Sequence, residues 1–199
     1  MGKEAAKWLK AVDPHFGFLA AHGFGRRDLD DSSFWSIWVQ YQSETSAIRI
    51  SKSNEFVRSE VHLIRLVNGE VPPYPIWITS DRIDWTLLDT VVEARQPDLM
   101  SEVARQRGLN SSELDEQLQF WARVLRDVAG DFLNGDFAPL DEAAEIVRAR
   151  VADNPQGVQV WLPDDAPDGA EAEEGAAVAA TVPPEVSVSV RRYRRRPRR

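Results

Sequence analysis

The chain contains no cysteine. That excludes a disulfide framework, cysteine-ligated zinc and a thiol nucleophile, and it suits a reducing compartment. Long apolar runs are also missing: no stretch approaches the ~18 consecutive apolar residues of a membrane-crossing helix. The opening segment, Met1 to Lys10, is charged and amphipathic and lacks the apolar run of a secretory signal. Ala6 stands where a myristoylation signal requires Ser or Thr. The expectation is a soluble, cytoplasmic protein. Phosphate-binding glycine loops are absent too. Gly23 and Gly25 begin a G-x-G, but Asp28 replaces the third glycine and the segment precedes a strand, whereas a dinucleotide fingerprint follows one. No G-x-S-x-G nucleophile elbow occurs. No catalytic set and no cofactor are expected.

What is present is a capacity to fold. The 199 residues are 43% hydrophobic and include seven Trp and eight Phe, enough for one sizeable core. Residues 164–199 depart from this composition: 164–180 is acidic and Ala/Gly-rich, and 181–199 is Pro- and Arg-rich. Neither half buries enough apolar surface to offset ordering entropy, so a single domain over 1–163 followed by a disordered tail over 164–199 is expected. The tail holds seven acids and seven arginines, so the whole net charge of −8 resides in 1–163. A domain of that sign repels phosphates and favours a basic partner.

Periodicity orders the domain as α+β: an N-terminal helix, an antiparallel sheet of about four strands, then a helical layer. Trp8, Leu9 and Val12 form a first apolar stripe, punctuated by Asp13-Pro14, and Phe16, Leu19 and Ala20 a second one stopped by Gly23. Gly25 to Ser33 reads as a polar, acidic loop. Strands are marked by Trp35, Ile37, Val39 and Tyr41; by Ile48 and Ile50; by Val57, Val61 and Leu63, ending at Asn68-Gly69; and by Tyr74, Ile76 and Ile78. Ile83, Leu87, Leu88, Val91 and Val92 read as a helical face. A short helix over about 99–107 stops at Gly108, and a long one over 112–134 carries Leu114, Leu118, Trp121, Leu125, Val128 and Phe132 at helical spacing. A last helix starts near Asp136, and Val158, Val160 and Leu162 suggest a short strand.

Few constellations carry chemistry. His15 and His22 lack a zinc spacing, and the loop acids Asp28, Asp30 and Asp31 lack the Gly and Glu of a calcium loop, so no metal site is expected. Asp81 and Asp84 suit a helix start. Segment 101–119 is similar to a helix-turn-helix, with Gly108 at the turn, but its second helix opens on Glu113, Asp115 and Glu116, which oppose phosphates. With the core on one sheet face, Phe34, Trp38, Arg49, Glu60, His62 and Trp77 point to the other. Trp38, Arg49, His62 and Trp77 are the candidate partner-binding set, because Trp and Arg anchor protein interfaces. The alternative site is the tail's Arg191, Arg192, Arg194, Arg195, Arg196, Arg198 and Arg199, which suit nucleic acid, an anionic membrane or the protein's own acids.

Phe16-Gly-Phe-Leu19 with Gly23-Phe24, the strand Trp38-Val-Gln-Tyr41, then Leu118, Ala122, Leu125 and the Leu133-Asn-Gly-Asp136 turn leading to Leu140 give residues 15–150 a resemblance. They resemble small bacterial α+β immunity proteins associated with polymorphic toxins. The resemblance implies a non-enzymatic protein that binds and neutralises a toxin domain; the arginine tail is not part of that pattern. The functional expectation is a protein-binding module, immunity-like, for a basic toxin or effector domain. The alternative is a nucleic-acid-associated protein acting through the arginine tail or segment 101–119.

Overall fold

The computed structural model describes residues 3–30, 36–53, 59–72, 83–109, 113–153, 159–163 and 189–193. The chain enters through helix α1 (Lys3–Phe16), whose Trp8, Leu9, Val12 and Phe16 are buried on one stripe. The expected break at Asp13-Pro14 does not occur, because Pro14 sits in the last turn, where the bond it removes weighs less than burial of the stripe. A 3-10 turn (Gly17–His22) follows and ends at Gly23 with φ 80°, while Phe24 N–H closes back on the Leu19 carbonyl at 3.1 Å.

Five strands form an antiparallel meander in chain order: β1 (Gly25–Asp30), β2 (Ser36–Gln42), β3 (Ser46–Ser53), β4 (Ser59–Arg65) and β5 (Trp85–Leu87). The β2–β3 turn is tied by Ser43, whose Oγ accepts from Ser46 N–H at 3.1 Å. After β4, Val67 and Glu70 exchange both backbone bonds around Asn68 (φ 55°) and Gly69 (φ 79°), the two-residue turn that an Asn-Gly pair favours.

Two strands depart from the sequence reading. β1 falls where a polar loop was expected; it is an edge strand with a register shift between Arg26 and Asp28, and charge with a bulge is what an edge tolerates. β5 takes the start of the expected helix at Ile83: residues 83 and 87 satisfy a helical spacing, but 83, 85 and 87 also alternate, and the open edge of β4 selects the strand. The expected strand at Tyr74, Ile76 and Ile78 lies outside the described residues.

The helical layer consists of α2 (Leu88–Arg95), α3 (Met100–Arg107), α4 (Leu114–Val128) and α5 (Ala138–Asp153). The helix expected through residue 134 ends at Val128; Ala129 and Gly130 interrupt it, and a 3-10 turn, Phe132–Asn134, keeps Phe132 in the core. Asp136 caps α5 by accepting from Ala138 N–H at 3.0 Å. The inner sheet face (Val39, Tyr41, Ile48, Ile50, Val61 and Leu63) packs in one core with α1, α2, α4 and α5. Because β5 spans three residues, part of β4 has no strand neighbour on that side among the described residues. Gln117 of α4 supplies the substitute: its Oε1 accepts from both N–H and Oγ of Ser59 at 3.1 Å.

Arg95, at the end of α2, ties three elements together. Its guanidinium donates to both Glu142 oxygens at 2.9 and 2.8 Å, and to Asp131 Oδ1 and the Val128 carbonyl at 2.9 and 3.0 Å. The Glu142 hydrogen bonds, foremost, raise its pKa further. Arg95→Met is expected to lower unfolding free energy by about 2 kcal/mol, since charge-assisted bonds are lost and their acceptors stay. Urea denaturation followed by Trp fluorescence reads this; a change below about 0.5 kcal/mol would show the network to be passive.

A separate parallel ladder pairs β6 (Gln159–Pro163) with β7 (Ser189–Tyr193). β6 lies where a short strand was expected. β7 falls within the expected tail, where its five residues pair in backbone register with β6. Residues 164–188 and 194–199 of the expected tail lie outside the described residues. No described helix is long and apolar enough to cross a membrane.

Candidate functional site: the outer face of the sheet

Strand register determines what the outer face carries. Trp38 pairs with Ser51, Gln40 with Arg49, Arg49 with His62, Ser51 with Glu60, His62 with Leu87 and Ile64 with Trp85. All these positions alternate away from the core-facing Val39, Ile50 and Val61. The sheet thus brings Trp38, Arg49, Glu60 and His62 onto one face, as the alternation predicts. Phe34 and Trp77 lie outside the described residues. Trp85 and Gln40 complete the group.

Arg49 is the centre. Its guanidinium carbon lies 4.1 Å from the Trp38 ring centroid and 4.6 Å from that of Trp85. Two indole faces thus hold one cation, each contributing a cation–π attraction. Gln40 Oε1 accepts from Arg49 Nε at 3.3 Å and from Nη2 at 2.9 Å, holding the guanidinium in plane. Trp38 and Arg49 are partly exposed, whereas Gln40, His62 and Trp85 are buried. The face is therefore narrower than an exposed aromatic patch: Leu66 and Val71 pack against Ala47, Ile64 and Trp85 at one end.

His62 is chemically specified. Indole N–H only donates, so the 3.1 Å contact from Trp85 Nε1 makes His62 Nδ1 the acceptor. A neutral ring then carries its proton on Nε2, which faces Ser51 Oγ at 3.4 Å, with Glu60 Oε2 at 3.9 Å. Burial, reinforced by the Arg49 charge, lowers the His62 pKa from 6.5 to about 3. At neutral pH the described part of the face presents the Arg49 cation clamped by aromatics beside an uncharged imidazole. That arrangement offers shape, stacking and fixed donors.

The other candidates are placed differently. His15 Nε2 contacts Asp115 Oδ1 at 2.8 Å, and His22 Nδ1 contacts Asn134 Oδ1 at 3.3 Å. Among the described residues no three side chains of metal-ligating type are grouped to hold an ion. The side chains of Asp28, Asp30 and Asp31 lie outside the described residues. So does Asp81, while Asp84 precedes β5 instead of a helix, its carbonyl accepting from Arg65 N–H at 2.8 Å.

The helix-turn-helix-like segment does form two helices, α3 and α4, joined through Gly108. Yet α4 buries Gln117, Leu118, Phe120, Trp121, Ala122, Val124, Leu125 and Val128, so most of its circumference is core. Its leading acids face protein groups: Asp115 meets His15, and Glu116 Oε1 accepts from Arg105 Nη1 at 2.8 Å. Arg105 foremost, then Gln106, hold the Glu116 carboxyl below its usual range. In the arginine tail, Arg191 and Arg192 lie in β7, opposite Trp161 and Leu162, and Arg194 to Arg199 lie outside the described residues.

Sequence alternation reached Trp38, Arg49 and His62 but missed Trp85. The missed signal was the alternation Ile83, Trp85, Leu87, hidden by an equally good helical spacing. No family model, no curated protein and no solved structure matches the chain.

Proposed function

We propose that the protein is a non-enzymatic binding module that seats a basic protein partner on the outer sheet face, as an immunity-like protein would seat a basic toxin or effector domain. The observation that carries this reading is Arg49 clamped between Trp38 and Trp85. An anchor whose side chains are already fixed loses little conformational entropy on association, and Trp and Arg dominate measured interface energetics. The net charge of −8, all within 1–163, supports the sign of the partner by steering a cationic surface toward the domain. Trp38, partly exposed at the edge of the stack, is the side chain a partner reaches first.

Affinity capture from native lysate, with quantitative titration of the captured protein, tests the reading. The native chain is expected to retain a basic protein, and Trp38→Ala to weaken that complex about 30-fold, as loss of a central aromatic anchor of about 2 kcal/mol requires. Equal affinity for both chains, or no specific protein retained, would remove the sheet face from consideration. Nucleic acid retained at about 150 mM salt, and lost on deletion of 183–199, would assign binding to the arginine tail instead.

A further inference from the structure

The sequence contains two Asn-Gly pairs, Asn68-Gly69 and Asn134-Gly135. Such a pair is chemically labile, because glycine has no Cβ to shield its amide nitrogen from the preceding carboxamide. Both pairs are exposed, yet the fold treats them differently. Asn134 is held at both reacting groups. Its Nδ2 donates to the Gly130 carbonyl at 3.2 Å, and its Oδ1 lies 3.3 Å from His22 Nδ1. The Gly135 N–H, which carries the nucleophile, donates to the Phe132 carbonyl at 3.1 Å, and Phe132 and Leu133 are buried.

Asn68 is not held in this way. Neither its carboxamide nor the Gly69 N–H makes a hydrogen bond among the described residues. The turn itself is closed by the Val67–Glu70 backbone pair at 2.9 and 3.1 Å, and Gln42 Nε2 donates to the Gly69 carbonyl at 3.3 Å. The Val67–Glu70 bridge stands apart from the five-stranded ladder, so the turn can open without unzipping β4.

We propose that Asn68 is a self-modification site. The Gly69 nitrogen gives up its proton to solvent and attacks Asn68 Cγ; a new N–C bond closes a succinimide ring, and the side-chain nitrogen takes a proton from solvent and leaves as ammonia. Water then opens the ring at either carbonyl, giving aspartate or isoaspartate. In isoaspartate the main chain runs through the former side chain and is one carbon longer, so the two-residue turn no longer matches the Val67–Glu70 pair. Leu66 and Val71, on either side of that turn, pack against Ala47, Ile64 and Trp85. The lengthened turn therefore loosens the cover of the indole that clamps Arg49. The chemistry at Asn68 does not depend on any partner occupying that face.

The test is to age the full chain at physiological temperature and mildly alkaline pH and to digest samples with trypsin. Peptides 66–82 and 127–148 hold one Asn-Gly pair each, and electron-transfer fragmentation separates isoaspartate from aspartate. Conversion at residue 68 is expected to be at least about tenfold faster than at residue 134, whose reacting groups must first give up their hydrogen bonds. Isoaspartate is expected to exceed aspartate at residue 68. In denaturing urea the two rates are expected to converge, because the preference comes from the fold. In aged protein, the Val67 and Glu70 amides are expected to exchange hydrogen faster than in fresh protein, whereas an Asn68→Gly chain, which keeps the turn and cannot form the ring, is unchanged by ageing. Equal or faster conversion at residue 134, conversion at residue 68 in urea but not in the folded chain, or the same preference in urea would each overturn the site. Unchanged exchange of Val67 and Glu70 in the isoaspartate form would overturn its effect on the turn.

Discussion

Replacing Arg107 with methionine is expected to lower unfolding free energy by about 3 kcal/mol, the low end of what breaking a buried ion pair costs. Arg107 ends α3, and its guanidinium pairs with Asp89 in the first turn of α2. The Asp89 side chain is 10% exposed, against 42% for that of Arg107, so truncation leaves the less hydrated member of the pair behind. Little compensates it. Thr90 Oγ1 donates at a long 3.4 Å, and the adjoining cavity, bordered by Ser59, Glu60 and Trp121, measures only about 10 Å³. That volume is at the threshold for a single water. The amino end of α2 moderates the loss by favouring a carboxylate there, which is why the lower end of the range applies. The double variant Asp89→Leu, Arg107→Met removes both charges and is expected to be more stable than Arg107→Met by about 2 kcal/mol. Urea midpoints for the native chain, both single variants and the double variant complete the cycle. A loss under about 1 kcal/mol in Arg107→Met would show that Asp89 is hydrated.

The pair also shows where the sequence stops being legible. The apolar residues of α4 recur at spacings that leave one reading, and Leu118, Trp121, Leu125 and Val128 are buried as that spacing requires. The Asn68-Gly69 turn announces itself because few residues accept two successive positive φ angles. The helical layer and the middle of the sheet are therefore readable. β1 and β5 are not, because an edge strand is selected by its neighbour's unpaired backbone and not by its own composition. Asp89 with Arg107, and Gln117 with Ser59, are separated by long stretches of chain and carry no local signature; only the packing of α3 and α4 on the sheet edge brings them together. In the candidate site the same division holds. Alternation alone places Trp38, Arg49 and His62 on one face, whereas the second indole depends on β5 existing. The clamp around Arg49 thus follows from a three-residue strand that periodicity assigns to a helix.

The second large effect is acid sensitivity from His62. Its pKa is lowered to about 3 in the fold by burial and by Arg49, and returns toward 6.5 on unfolding. Between those values the unfolded chain binds more protons than the native one, so stability rises with pH there. The contribution is complete above about pH 6.5 and is lost as pH falls toward 3, with a slope approaching about 1.4 kcal/mol per pH unit. From pH 8 to pH 5, before most carboxylates titrate, the expected loss is about 2 kcal/mol. His62→Gln isolates it, since the amide oxygen can still accept from Trp85 Nε1 and the amide nitrogen can still donate toward Ser51. The variant is expected to start lower at pH 8, through imperfect packing, and to fall about 2 kcal/mol less than the native chain by pH 5. Parallel profiles for the two chains would mean that His62 is protonated in place and that its ring is hydrated. The same measurement bears on the outer face. A proton on Nδ1 removes the acceptor for Trp85 and sets a second cation beside Arg49, so acid loosens the indole that closes the clamp. Partner affinity through that face is accordingly expected to hold steady from pH 8 to about pH 6 and to decline below it only as the domain itself loses stability.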